Sequence, residues 1–335
     1  MQVFPTQYST LSSYALKGHL QREYGFEILN CKYLLRGVND HYLIETKDQK
    51  FIFRVYRNTH RSLEEVRSEL FLLNSLNSKG IGVSYPISCL SGEQIVEFNA
   101  AEGTRYGTLF SYAKGESFNL LSDQQLSIFG RELAHIHNIS ASIILPFERK
   151  PYNINTTILE PIEAIAPILG DFPEYESWIN ETKNRLVTKL NSFDFSKFSY
   201  GYCHYDLLPK NFHFDENDKI TFFDFDFLGK GHLVNDLMTF WLHLSLHLHF
   251  NKISQEEADR SFGVVVASYR EIRELSEEEL SAIPYLSFGF WIFFMRYHQE
   301  HFDDFSNPFF NKRFIGERLS LIQTFTNTYC NFEVS

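Results

Sequence analysis

The sequence predicts an α+β fold in two lobes: a small antiparallel β-sheet carrying one main helix, then a larger, mainly α-helical lobe. Three observations carry this. Alternating and β-branched or aromatic segments crowd the chain before residue 112, and helical periodicity dominates after it. A length of 335 residues exceeds one average domain. Hydrophobic residues at 44% and charged residues at 22% are ordinary globular usage, which excludes disorder and collagen-like structure.

The elements follow in order. Residues 9–24 read as a short amphipathic helix. Residues 32–35 and 41–46 are strand-like, and the Gly and Asn-Asp of Arg36-Gly37-Val38-Asn39-Asp40 between them suit a tight hairpin turn. Residues 50–56 alternate and make a third antiparallel strand. Ser62 is a helix N-cap, and Glu65 three residues on completes a capping box. The helix it opens, 63–76, sets Val66, Leu70, Leu73 and Leu76 on one face and stops near Lys79-Gly80. Strands are expected at 83–89, 94–97 and 107–112, which places the lobe boundary between residues 112 and 113. Beyond it, 123–137 and 178–190 read as helices. Two β-like segments, 211–214 and 220–225, flank the turn 215–218. From 232 to about 328 the chain is almost wholly helical, with 288–297 a buried helix.

Composition narrows the partners. Lys+Arg 31 against Asp+Glu 42 leaves a net charge of −11, which repels a phosphate backbone and argues against nucleic-acid binding. The same charge leans slightly toward a cationic small-molecule partner. The first 20 residues lack the basic flank and apolar run of a signal peptide. The longest apolar run, 284–295, falls short of the roughly 20 residues that span a bilayer. The 4 cysteines are widely spaced with no CxxC pair, as for free thiols in a reducing compartment. A cytoplasmic protein without a membrane partner is expected; oligomeric state is not readable.

The chemistry lies in two adjacent segments. His204-Tyr205-Asp206-Leu207-Leu208-Pro209-Lys210-Asn211 is followed 13 positions later by Asp224-Phe225-Asp226. Phosphoryl transfer from a metal nucleotide needs one carboxylate beside the attacking hydroxyl, plus an amide oxygen and a second carboxylate on the metal. The five-residue step from Asp206 to Asn211 lets both side chains of one loop face the same way. The intervening β-turn-β returns Asp224 alongside. A charge in a strand as aromatic as 221–227 calls for a partner or a metal.

These segments resemble the aminoglycoside phosphotransferase/choline kinase superfamily, in its branch of homoserine kinase-like enzymes and stress-response Ser/Thr kinases. Its signature reads His-Gly-Asp-Leu-His-Pro-Gly-Asn followed by Ile-Asp-Phe-Asp, and its fold is protein kinase-like. The likeness covers about residues 25–245 and is strongest at 202–237. It implies Asp206 as the catalytic base, His204 as a support of the loop, and Asn211 and Asp224 as Mg²⁺ ligands. Asp236, in Asn235-Asp236-Leu237, matches the acid that braces the catalytic loop. The turn bearing Gly37 and Asn39 looks like the family's abbreviated nucleotide loop. Arg54 stands where a cation contacts the α- and β-phosphates, and Glu69 where its partner sits. Since Arg54 lies inside an apolar strand, an ion pair with Glu69 is favoured. Residues 110–113 are the expected hinge, with the Ser111 carbonyl and Ala113 amide bonding the adenine edge.

Three departures qualify the likeness. The usual Lys of the third strand is Arg54, a planar fork in place of a point charge. The Gly after the loop His is Tyr205. The His or Lys two places after the catalytic Asp is Leu208, and Lys210 is the loop cation that stands in for it. The reading is a bilobal kinase that binds ATP and Mg²⁺ and phosphorylates a hydroxyl of a small molecule, homoserine, another amino alcohol or an aminoglycoside-like compound. The alternatives are a Ser/Thr protein kinase of the same family, or a weakly active nucleotide-binding scaffold. His243 and His247 have a metal-pair spacing, but no third ligand accompanies them.

Overall fold

Helix α1 (Ser13–Tyr24) begins where Ser12 accepts the Ala15 N–H, four residues later than the apolar pattern alone suggests. It ends at Gly25, whose left-handed φ of 74° lets its N–H reach the Gln21 carbonyl. The computed structural model describes residues 6, 8–301 and 311–332. Within them the chain forms two units. The first runs through Glu116 and adds residues 144–148 and 213–223; the second holds 117–143, 149–212 and the chain from Asp224 onward.

The first unit is built on a five-stranded antiparallel sheet, β1 (Asn30–Arg36), β2 (Asp40–Glu45), β3 (Lys50–Val55), β4 (Val96–Ala100) and β5 (Gly103–Ser111), in the order β1-β2-β3-β5-β4. The turn between β1 and β2 closes as Arg36 pairs with Asp40 across it. Helix α2 (Leu63–Ser78) starts on a complete Ser62–Glu65 capping box and runs two residues past the predicted end. Leu16, Leu20, Ile44, Phe53, Val55 and Leu109 meet in the core of this unit. Residues 83–89 are not a strand, contrary to the expectation. Val83 bridges Phe222 and Pro86 bridges Phe110, so the backbone divides itself between two partners, and a proline has no N–H to extend either ladder.

The hairpin β7 (Phe212–Phe214) and β8 (Ile220–Phe222) continues this unit. Glu116 exchanges hydrogen bonds with Phe214 at 3.2 and 3.0 Å. Gly115 makes that approach possible, because a Cβ there would lie 1.9 Å from the Phe214 carbonyl oxygen and its φ is 87°.

In the second unit, α3 (Asp123–Ser140) packs along α7 (Gln255–Arg270), and α6 (Val234–His249) against α8 (Glu277–His301). Helices α4 (Glu160–Leu169), α5 (Pro173–Leu190) and α9 (Lys312–Tyr329) complete it. Phe129 of α3 stacks near Phe212 and Phe240, with centroids 5.0 and 4.7 Å away. A two-stranded ladder of β6 (Tyr200–Cys203) with β9 (Gly229–His232) was not anticipated; both strands are short and glycine-bearing, without alternation to betray them. The same holds for the π-helical turn Asn155–Leu159 that leads into α4. No helix among the described residues is long and apolar enough to cross a membrane.

Candidate active site

The loop leaving β6 is shaped by one carboxylate. Asp236, at the start of α6 and 1% exposed, accepts the His204 N–H at 2.9 Å and the Tyr205 N–H at 2.8 Å. His137 Nε2 lies 3.1 Å from the same group, and its Nδ1 is 2.9 Å from the Tyr269 hydroxyl. This clamp holds Tyr205 at a φ of 63°, a region costly for a bulky side chain. The Tyr205 ring is buried and stacks on Tyr152, centroids 3.5 Å apart and planes 8° from parallel. The tyrosine that replaces the family glycine is thus accommodated by a ring partner.

Asp206 follows, 6% exposed. Its N–H donates to His204 Nδ1 at 3.3 Å, and its carbonyl accepts from Leu208 N–H at 2.8 Å. Asn211 Nδ2 donates both to that carbonyl, 2.6 Å, and to the Asp206 carboxylate, 2.9 Å. Lys210 Nζ stands 3.0 Å from the same carboxylate oxygen, with most of its length in solvent. Burial pushes the Asp206 carboxyl above the usual carboxylate range, and Lys210 offsets only part of this. Burial works to lower the Lys210 pKa, yet the Asp206 carboxylate carries it upward.

Strand β8 ends at Phe222, so Asp224 is not at a strand terminus as expected. It sits in the left-handed region, φ 64°, and opens the turn Phe225–Phe227. Asp tolerates that conformation better than most residues. Its charge adds to the upward pressure on Asp206. Two side chains that sequence reasoning missed hold the turn: Arg149 donates to the Leu228 carbonyl at 2.7 Å and the Asp226 carbonyl at 2.5 Å, and the Tyr152 hydroxyl donates to Phe227 O. Nothing in the local pattern around residue 149 signals a partner some 77 positions away.

The donor set suits a hard divalent cation. The Asn211 amide nitrogen is committed to Asp206, which leaves its oxygen as the donor atom that could face a cation. Asp224 would add carboxylate oxygen, the chemistry magnesium prefers. Among the described residues no group of three His, Cys, Asp or Glu side chains could hold a metal, so the His243–His247 pair has no third ligand. His243 instead meets the Asn119 carbonyl at 2.7 Å.

The remaining predicted residues lie in the first unit. Arg54 and Glu69 form a buried pair, Nη1 to Oε1 2.7 Å, and the Tyr56 hydroxyl donates to the other Glu69 oxygen at 3.1 Å. Gly37 N–H donates to the Asn39 carbonyl at 3.0 Å. The Asn39 side chain is buried and accepts the Arg57 N–H at 3.1 Å, so it ties the turn to the exit of β3. Ser111 donates its N–H to Tyr85 O at 2.9 Å, and its carbonyl accepts the Ser84 hydroxyl at 2.5 Å; one carbonyl lone pair is left. The Ala113 carbonyl lies 3.0 Å from His213 Nδ1. Sequence reasoning missed the fully buried Arg105, which bonds Asp40 at 3.1 Å, Tyr56 O at 3.0 Å and Ser9 O at 2.8 Å. Asp40 also takes Arg36 Nε at 3.0 Å.

Comparison with known proteins places this geometry. The profile of the phosphotransferase enzyme family matches residues 35–275. An uncharacterized protein of Deinococcus radiodurans is 29% identical, with 87% of this chain and 83% of that protein aligned. A homoserine kinase of Neisseria meningitidis serogroup B is 24% identical over 83% of this chain and 85% of its own length. Among solved structures, an amicoumacin kinase in complex with AMP-PNP, Ca²⁺ and Ami superposes with a TM-score of 0.72 at 19% identity, covering 93% of this chain and 94% of that one.

Proposed function

Because this chain belongs to the phosphotransferase enzyme family and is a kinase-like enzyme acting on a hydroxyl acceptor, we propose that it uses ATP and Mg²⁺ and phosphorylates a small amino alcohol. The observation that carries the reading is the arrangement Asp206–Asn211–Lys210. A buried carboxylate is held by an amide at 2.9 Å and an ammonium at 3.0 Å, on a loop fixed from behind by Asp236. Asp206 orients the acceptor hydroxyl and takes its proton as the new O–P bond forms and the bond from the γ-phosphorus to the bridging oxygen of ADP breaks. Its raised pKa makes it a better base than an exposed carboxylate. Lys210 offsets the growing charge on the transferring group, a preorganised role that needs no movement at the moment of reaction. Asn211 and Asp224 would hold Mg²⁺, which supplies neutralisation of the phosphate oxygens. Arg54, steadied by Glu69, would contact the nucleotide phosphates, with Gly37 and Asn39 shaping the turn over them and Ser111 and Ala113 bonding the base.

The acceptor class is supported by the homoserine kinase relative, whose named substrate carries an amine and a primary hydroxyl. The test is purified protein with ATP, with and without Mg²⁺, against a panel of small hydroxyl acceptors, reading ADP and the phosphate ester by ³¹P NMR. Mg²⁺-dependent ester formation that disappears in Asp206→Asn and Asp224→Ala is expected. Nucleotide-dependent thermal stabilisation with no transfer to any acceptor would mark a scaffold and overturn the proposal.

A further inference from the structure

The residues just ahead of α1 are tied to the sheet more closely than the helix itself requires. Helix α1 is already fastened by Leu16 and Leu20, which lie in the core of the first unit. Residues 8–11 nevertheless each take a hydrogen bond from the sheet. Arg105 Nη2 donates to the Tyr8 hydroxyl at 3.1 Å, and its Nη1 to the Ser9 carbonyl at 2.8 Å. Arg36 Nη2 donates to the Thr10 hydroxyl, and the Tyr42 hydroxyl donates to the Leu11 carbonyl at 2.7 Å. The Tyr8 ring is shared by three guanidinium groups. The carbons of Arg36, Arg57 and Arg105 lie 3.9, 4.5 and 4.6 Å from its centroid. Like charges gathered this closely repel, and a ring within reach of all three offsets part of that cost.

These contacts converge on the turn between β1 and β2. Arg36 opens it and Asp40 closes it, and the two meet, Nε to Oδ1, at 3.0 Å. Arg105 takes the other Asp40 oxygen at 3.1 Å. Arg57 stands at the exit of β3, where its N–H holds the buried Asn39 side chain at 3.1 Å. All three arginines on the Tyr8 ring therefore also reach the turn, Arg36 and Arg105 through Asp40 and Arg57 through Asn39. Its middle is more loosely built. The Gly37 N–H closes on the Asn39 carbonyl at 3.0 Å, and glycine leaves a backbone freer than any other residue does. The ends of the turn are what the segment before α1 secures.

We propose that Tyr8, Ser9 and Thr10 form a strap on the nucleotide turn, with Tyr8 a positioning residue for ATP that need not touch it. The inference rests on the phosphotransferase reading above, in which this turn covers the phosphates. A free turn must be ordered as the nucleotide arrives, and each residue so fixed costs conformational entropy. Holding both ends beforehand removes much of that cost and tightens binding with no new contact to the ligand. The effect falls on the nucleotide. Asp206, which serves the acceptor, belongs to the other unit and shares none of these bonds.

The experiment titrates a non-hydrolysable ATP analogue with Mg²⁺ into the full chain by calorimetry, alongside steady-state kinetics on whichever acceptor is phosphorylated. Tyr8→Ala removes both ring and hydroxyl. It should weaken analogue binding by about 10-fold and raise the KM for ATP in step, with little change in the acceptor KM or in kcat at saturating ATP. Tyr8→Phe keeps the ring and should recover most of the loss. Thr10→Val, a nearly isosteric change at an exposed residue, takes the hydroxyl from Arg36 and should weaken the analogue by about 3-fold; it carries the test if Tyr8→Ala does not fold. Tyr14→Ala on α1, a residue 90% exposed, is the control and should change nothing. Analogue binding as tight in Tyr8→Ala and Thr10→Val as in the wild type overturns the inference and leaves the kinase reading standing. So does an equal rise in both KM values with a fall in kcat, the sign of a general loosening. Binding that weakens as expected while no acceptor is phosphorylated upholds the strap and overturns the kinase reading. Failure of the wild type to bind the analogue overturns both.

Discussion

The two units bury charge in opposite ways. In the first, Arg105 and Asp40 are fully buried and bonded to each other, and Arg54 pairs with Glu69 at 2.7 Å; each cation has its anion, and the carbonyls of Ser9, Val55 and Tyr56 take further N–H groups of Arg105. In the second, Asp206 is nearly as buried, yet its partners do not satisfy it. Burial keeps its carboxyl raised despite Lys210 beside it. A neutralised pair makes a rigid frame, whereas an under-compensated carboxylate is poised to take a proton. Stability is expected to concentrate in the first arrangement and chemistry in the second.

The largest effect that would sharpen this contrast is at Asp206. Asp206→Asn should lower phosphoryl transfer by roughly 10³-fold or more while melting no lower than the wild type. The sign follows from the raised pKa. The folded state binds this proton more tightly than the unfolded one, so ionisation at neutral pH costs stability, and an amide removes that cost. A clear drop in melting temperature would show that the loop needs the charge for its fold. Next, Arg105→Met should destabilise the protein by about 3–5 kcal/mol, because Asp40 would be left buried beside a single remaining arginine; urea denaturation followed by circular dichroism measures it. Glu69→Gln should cost about 2–3 kcal/mol and raise the KM for ATP through a loosened Arg54, with a smaller change in the acceptor KM. Smallest is a shift along the pH axis. Lys210 is the main influence holding the Asp206 carboxyl down against burial, so Lys210→Met should move the acid limb of the kcat/KM profile to higher pH. A limb that stays in place would show that another group sets it.

What was legible in the sequence was local. The Ser62–Glu65 capping box and the turn from Arg36 to Asp40 are written within a few residues and appear as read. Arg54 and Glu69, 15 residues apart, were readable as a pair because the family resemblance named both and a charge inside an apolar strand demands a partner. Asp206 and Asn211 touch because one tight loop carries both. The partners of Arg105 and Arg149, up to 97 and 79 positions away, are chosen by tertiary packing and leave no trace in spacing. Residues 83–89 failed as a strand for the converse reason, since their β-rich composition says nothing of which neighbour the backbone will find.

The discontinuity of the first unit has a consequence for how the chain matures on the ribosome. Its sheet is complete in sequence by residue 111, yet the Gly82 carbonyl must wait for the Phe222 N–H and the Ser84 N–H for the Phe222 carbonyl, each bond 2.8 Å long. At about 5–20 residues synthesised per second, the nascent sheet would spend several seconds without that strand. A fragment stopping near residue 116 should therefore aggregate or engage chaperones, and adding back the peptide 213–223 is the natural remedy.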